Sequence, residues 1–216
     1  MKGEFSAILC GVGGQGLVLL SNIIGSACAS TGVRAITGEQ HGLSQRHGSI
    51  SIHLRIGPEV RSPLIPIGSG DAIVSLESLE ALRYIEYLKD GGVVLMSSMV
   101  IHPVTDSKKV VEGKKNAASY YGRDMVEARF RQITDRILFI DAPDLANSAG
   151  NVLVENIVLL GALSVFEGFP VRTEALRESI GEMVPAKAKE ANLKAFQLGA
   201  EMSRGHFCKM IPCRPI

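Results

Sequence analysis

Residues 8–22 read ILCGVGGQGLVLLSN: an apolar run, a cluster of four glycines between positions 11 and 16, then a longer apolar run. Gly11, Gly13 and Gly16 match the pattern G-x-G-x-x-G in the strand-to-helix setting that a dinucleotide fingerprint requires. Glycines there permit a tight turn and close backbone approach, and the unpaired N–H groups that open a helix attract an anion. The same glycines also suit a close-packed turn that binds nothing. The pattern is short, so its surroundings must decide between NAD(P) or FAD binding and plain turn structure.

Downstream, Leu17, Leu20, Ile23, Ile24 and Ala27 recur at helical spacing, and Gly32 closes the helix as a C-terminal cap. Val33 to Thr37 then supplies a second strand, and the three elements read as a Rossmann-like β-α-β opening with a right-handed crossover. A nucleotide-binding unit would next show an acidic residue, for which Glu39 could serve, and a second crossover helix. Instead comes HGLSQRHGSISIHLRIG, residues 41–57. It is a polar, glycine-punctuated loop followed by the alternation Ile50, Ile52, Leu54, Ile56 with Ser51, His53 and Arg55 between, which predicts a half-exposed strand. The expected helix is missing, and the dinucleotide reading weakens.

Ala72 to Leu76 predicts a buried strand, Glu77 to Lys89 an amphipathic helix, and Val93 to Met96 a further strand after the turn signal at Asp90-Gly91-Gly92. Thr105 to Arg131 is polar and basic, with Lys108, Lys109, Lys114 and Lys115 close together, and reads as a solvated insert. Ile137 to Ile140 is the next strand. Asn151 to Phe166 is an apolar helix in which Gly161 marks the close approach of another backbone, and Thr173–Met183 and Ala186–Met202 are the last helices. Strands and helices alternate, so the class is α/β, a mainly parallel sheet flanked by helices in a single domain.

The 216 residues can bury a substantial core. Lys and Arg number 23 against 22 for Asp and Glu, which leaves no global field for nucleic acid or an anionic membrane. With 46% hydrophobic residues and no Trp, the chain is apolar. Part of its surface is expected to be buried against a partner, in isolation a second copy of itself. No apolar stretch reaches the roughly 18 residues of a membrane span, and Ala7 to Cys10 lacks the apolar segment of a signal peptide, so a cytoplasmic chain is expected. Cys10, Cys28, Cys208 and Cys213 form no C-x-x-C pair, so neither zinc nor an iron–sulfur cluster is supported. Reduced thiols are expected, with a pair near the C-terminus as the alternative.

The segments GVGGQG (11–16), EQHGLSQRHGS (39–49), ISIHLRIG (50–57), GDAIVSLESLEALRYIEYLKDGGVV (70–94), NIVLLGAL (156–163) and VPAKAKEANLKAFQLG (184–199), in this order, resemble the gamma-type subunit of 2-oxoacid:ferredoxin oxidoreductases. The run at 41–46 and that at 75–82 look most like the small beta subunit of indolepyruvate:ferredoxin oxidoreductase. The most specific mark is Gly14-Gln15, which a dinucleotide fingerprint does not ask for. The resemblance implies a gamma-type domain over residues 1–205 with a tail at 206–216. It implies a subunit of an enzyme that oxidatively decarboxylates an arylpyruvate with coenzyme A, giving an acyl-CoA, CO2 and reduced ferredoxin. Thiamine diphosphate, Mg2+ and iron–sulfur clusters would reside in a larger partner subunit, and ferredoxin would meet the complex, so this chain would be inactive alone. The sequence agrees in having no cysteine cluster and no Gly-Asp-Gly setting for a diphosphate-bound Mg2+.

The candidate binding residues are Gly11, Gly13, Gly14, Gln15, Gly16, His41 and Arg46; no catalytic residue and no metal ligand is assigned. The glycines belong at the carboxyl edge of the sheet, where open α/β folds place ligands, and either pack against the large subunit or its coenzyme A channel or simply shape the turn. Gln15 has donor and acceptor capacity at a helix start, if only as a cap. His41, Gln45, Arg46 and His47 crowd one loop, where Arg46 offers its planar fork to a carboxylate or phosphate, the alternative being a subunit contact without a ligand. Glu77 and Glu80 lie beside a strand end as acid/base candidates or as surface and interface pairing groups, and Asn151, Asn156 and Asn192 read as helix-end or interface hydrogen bonders. No serine sits in a nucleophile elbow. The competing readings are a stand-alone NAD(P) or flavin enzyme and a noncatalytic scaffold.

Overall fold

A computed structural model describes residues 3–42, 48–101 and 122–214. The opening run forms β1 (Phe5–Val12), buried along its whole length. The glycine turn leads into α1 (Leu17–Ser30), whose buried face is Leu17, Leu20, Ile23, Ile24 and Ala27, the residues picked out by periodicity. The chain then runs through β2 (Ala35–His41), β3 (Ser49–Ile56), β4 (Gly70–Ser75), α2 (Ser78–Arg83) and β5 (Leu88–Ser97). After α3 (Arg123–Phe130) and β6 (Ile137–Ile140) come four helices: α4 (Ala142–Ser148), α5 (Glu155–Ser164), α6 (Thr173–Met183) and α7 (Lys189–Phe207).

The six strands lie in the order β2-β3-β1-β4-β5-β6. β1, β4, β5 and β6 pair in parallel, whereas β3 pairs antiparallel with both β1 and β2. The expected β-α-β unit therefore does not join neighbouring strands: β2 runs parallel to β1 from the sheet edge, and β3 fills the place between them. The loop 42–48 is in consequence a hairpin connection rather than the start of a crossover.

Side chains alternate across the sheet, so β1 divides its residues between two cores. Ala7 and Leu9 join α1, α4, α5, α6 and α7 on one face, and Ile8 and Cys10 join α2, α3 and Ile65 on the other. β3 corrects the half-exposed expectation, because Ser51 and His53 are buried along with Ile52, Leu54 and Ile56. Their cover comes from residues 58–69 and the turn at Ile85–Tyr87: the Ile65 N–H donates to His53 Nδ1 at 3.2 Å, and the Tyr87 ring meets the imidazole edge-on at 5.2 Å. Burial pushes the imidazole below its ordinary pKa.

The helix expected over 77–89 stops at Arg83. Tyr84, Ile85 and Tyr87 are weak helix formers, and Leu88 already pairs with Gly70 as the first residue of β5. The solvated insert is corrected at its end, where α3 buries Val126 and Phe130; Lys108, Lys109, Lys114 and Lys115 lie outside the described residues. The expected helix over 151–166 begins with a 3-10 turn at Val152–Val154 and is α-helical from Glu155. Gly161 does face another backbone: a Cβ there would sit 2.0 Å from the Phe196 carbonyl oxygen, and one on Gly199 would sit 1.9 Å from that of Val158. Cys10 and Cys28 are free and buried, but Cys208 and Cys213 are disulfide-bonded, which overturns the expectation of four reduced thiols.

Candidate functional site

The turn after β1 depends on glycine at two positive-φ positions, Gly14 (99°) and Gly16 (78°), where a side chain would be strained. Gly11 has a different reason: a Cβ on it would lie 2.6 Å from Gln15 Oε1. Gln15 fills that space. Its Oε1 accepts the Val12 N–H at 2.8 Å, and its Nε2 donates to the Leu76 carbonyl at 3.0 Å and contacts Met99 Sδ at 3.7 Å. One amide thus ties together the segments that follow β1, β4 and β5. A second tie comes from α5, where Asn156 Nδ2 donates to the Gly16 carbonyl at 3.0 Å. A Cβ on Gly16 would occupy the place of that amide.

The second half of the rim comes from the hairpin. The Gly13 N–H donates to the Gly48 carbonyl at 2.9 Å, so the chain enters β3 directly beside the glycine turn. Ile50 stands opposite both Gly11 and His41, which puts His41 in the same row two strands away, roughly 10 Å at the usual strand spacing. His41 is exposed and pairs with Glu39 at 3.1 Å. Gln45, Arg46 and His47 lie outside the described residues.

Under this rim sits a buried polar network. Glu77 caps α2: one carboxylate oxygen accepts the Glu80 N–H at 2.7 Å and the other the Ile101 N–H at 2.9 Å. Burial raises its pKa against the pull of these bonds. Glu80 accepts from Ser49 Oγ at 2.5 Å and from Arg83 Nε at 3.0 Å. The two carboxylates therefore lock the loops and reach no open space as acid/base groups would. Cys10 lies next to them, and burial lifts its thiol to about 12, opposed by a hydrogen bond with Ser75.

Above the rim a cleft of about 430 Å³ runs between the glycine turn, Met99 and Ile101, and the segment Val152 to Asn156. Its apolar walls include exposed groups: Leu153 is 81% accessible, Val152 57% and Ile101 40%. Glu155 is the one charged residue among the described residues of its lining, with a carboxyl held above the usual range by burial and by Asp141. The sequence reading missed the apolar walls, because loop residues after β5 and before α5 carry no periodic signal; Asn156, read as a helix-end or interface hydrogen bonder, does bond from the start of α5 to the Gly16 carbonyl.

This geometry suits an apolar or amide-bearing occupant better than a pyrophosphate. The Gly13 and Gln15 amides are engaged by Gly48 and Val12, and among the described residues that line the cleft there is neither Lys nor Arg. Cys10 and Cys28 are buried with thiols raised to about 12 and about 11, and the described residues hold no cluster of three or more His, Cys, Asp or Glu side chains that could bind a metal. Among the described residues no helix is long and apolar enough to cross a membrane.

The family of the chain follows from comparison with known proteins. Residues 6–202 match the pyruvate ferredoxin/flavodoxin oxidoreductase family, and the chain belongs to it. Within that family it is 39% identical over 202 residues to indolepyruvate oxidoreductase subunit IorB of Pyrococcus horikoshii, covering 93% of this chain and 96% of the relative. It is 37% identical over 196 residues to the Archaeoglobus fulgidus IorB subunit, covering 91% and 94%. Among solved structures, the gamma subunit of a keto/oxoacid ferredoxin oxidoreductase from Geobacter sulfurreducens superposes with a TM-score of 0.65 at 25% identity, covering 93% of this chain and 99% of that one.

Proposed function

We propose that this chain is the small subunit of a cytoplasmic 2-oxoacid:ferredoxin oxidoreductase of the indolepyruvate type, which oxidatively decarboxylates an arylpyruvate to its acyl-CoA and passes the electrons to ferredoxin. The full-length similarity to two IorB subunits supports the substrate class. Thiamine diphosphate and iron–sulfur clusters belong to a larger partner, for which this chain's thiols and carboxylates offer no substitute. The contribution of this chain is the rim made by the glycine turn and the start of β3, and the observation that carries the assignment is the Gly13 N–H to Gly48 O bond that joins the two.

Within this rim, Gly11, Gly16 and Gln15 act by fixing the turn, whereas Gly14, with nothing within 4 Å of its would-be Cβ, offers open backbone to the partner or to coenzyme A. The apolar cleft suits the amide-bearing pantetheine arm of coenzyme A, and Gly13 lines it beside the turn; His41 and Arg46 are proposed to meet the phosphates. The test is reconstitution. Mixed with the large subunit, the chain should support indolepyruvate- and coenzyme A-dependent ferredoxin reduction, and alone it should reduce no acceptor. Turnover by the isolated chain would overturn the division of labour, and full activity of the large subunit alone would remove the role of this chain. A saturable micromolar affinity of the isolated chain for NAD(H) or NADP(H) would favour the stand-alone dinucleotide enzyme instead.

A further inference from the structure

We propose that Cys208 and Cys213 form a reversible thiol–disulfide site, and that its oxidation fastens the C-terminal strap, residues 208–214, onto the loop between α5 and α6. The site lies far from the glycine rim in the fold, near the amino end of β1, and does not depend on the reading given above.

The strap begins where α7 ends at Phe207. The Met210 and Ile211 N–H groups turn back to the Phe207 carbonyl at 2.7 and 2.8 Å, and Ile211 enters the core with 5% of its surface exposed. The rest of the strap lies along residues 165–171. Cys213 bridges to Phe166, the Glu167 N–H donates to the Pro212 carbonyl at 3.2 Å, and the Arg214 N–H to the Val165 carbonyl at 3.0 Å. The Arg214 guanidinium donates to the Val171 carbonyl. With Glu4, Gly57, Pro58, Gly168 and Pro170, Arg214 also lines a cavity of about 380 Å³. The disulfide is the covalent tie that holds Pro212 to Arg214 in that position.

Three features mark the bond as exchangeable rather than a permanent staple. It joins cysteines five positions apart, so it removes little freedom from the unfolded chain. Cys208 is exposed, so a thiolate can reach it. Cys10 and Cys28 are buried and leave the pair no competing thiol at the surface. In the reduction, a thiolate of a dithiol attacks Cys208 Sγ, the S–S bond breaks, and its electron pair leaves on Cys213 Sγ, which takes up a proton. The second thiolate of the dithiol then closes its own disulfide and releases Cys208, which is protonated in turn. Two electrons and two protons pass to the protein while the dithiol becomes a disulfide; oxidation is the reverse. Reduction frees residues 212–214 and opens the cavity beside Arg214.

The experiment equilibrates the full-length chain with set ratios of reduced to oxidised dithiothreitol, then quenches and alkylates it after denaturation. Mass spectrometry should find two alkylated cysteines at the oxidised end and four at the reduced end, with the change confined to Cys208 and Cys213. Hydrogen exchange in residues 165–171 and 208–214 should rise at least tenfold on reduction and stay unchanged in the glycine turn. C208S and C213S should show the fast exchange at every ratio. Four alkylated cysteines throughout would overturn the proposal, as would exchange in the two segments that ignores the redox ratio in the wild-type chain.

Discussion

Replacing Gly199 or Gly161 by Ala tests the packing that delivers α5 to the candidate site. The added Cβ would lie 1.9 Å from the Val158 carbonyl oxygen in the first case and 2.0 Å from that of Phe196 in the second. Both obstacles are backbone, so no side chain can rotate away, and α5 and α7 must part by about 1 Å to restore a tolerable contact. Overpacking of a close-packed interface costs about 1–3 kcal/mol, and a backbone clash belongs at the upper end. Alanine returns up to about 1 kcal/mol of helix propensity, leaving a net loss of about 2 kcal/mol. At about 2–4 °C per kcal/mol for a chain of this size, Tm should fall by about 4–8 °C. Gly25 is the control: it lies in α1 with nothing within 4 Å of its would-be Cβ, so Gly25→Ala should raise Tm by about 2–4 °C. Thermal melts of the three variants decide the matter. A Gly199→Ala chain that melts at or above the wild type would refute the close crossing. The displacement should also pull Asn156 from the Gly16 carbonyl, so the same variant should capture the large subunit less well.

Gln15→Ala removes partners from the Val12 N–H and the Leu76 carbonyl, and should cost about 2 kcal/mol in a denaturant melt together with loss of assembly. For Glu77, burial raises the folded-state pKa, so its contribution to stability is present at acid pH and is lost as pH rises through the folded value. Glu77→Gln keeps one of the two acceptors and sets an NH2 against the other N–H, so its Tm should fall below that of the wild type, by more at pH 5 than at pH 7. Glu77→Ala should cost about 1–2 kcal/mol, because the α2 cap and the Ile101 N–H lose their partner. Arg46→Ala should weaken assembly or raise the Michaelis constant for coenzyme A by about tenfold to a hundredfold with Tm unchanged, as expected for a charge-assisted contact of about 1.5–3 kcal/mol; if all three measurements stayed at wild-type values, the loop would be a mere connection.

Much of the fold was legible because local pattern and burial agree. The apolar spacing of α1 names its buried face, α6 spans the residues read from sequence, and Gly161 announced a close approach that Gly199 completes. What sequence could not show depends on distant partners. β3 alternates like a strand with one wet face, yet that face is covered by Ile65 and Tyr87, and alternation reports only which residues share a side. It also says nothing of which strand pairs with which. The antiparallel insertion of β3 beside β1 became visible only in the register. The disulfide was equally hidden, since five residues of separation bring two cysteines to 5.4 Å between Cα atoms only if the chain turns back after α7.

The candidate site divides along the same line. Its glycines were legible, since only a turn needing positive φ or close approach gathers four of them in six residues. Their purpose was not, because the same pattern serves a phosphate cradle and a stapled turn, and the difference lies in who occupies the amides. Here Gly48 and Val12 take the N–H groups of Gly13 and Gln15, and the Gln15 side chain is spent on Val12 and Leu76. With these groups engaged the turn is a braced edge, and what it presents to the cleft is Gly14 backbone beside Ile101, Val152 and Leu153. Exposed apolar side chains at the carboxyl edge of a parallel sheet gain free energy only when another surface covers them. On the proposed function that covering surface is the larger subunit, and burial of Ile101, Val152 and Leu153 against it is the contact the reconstituted complex should show.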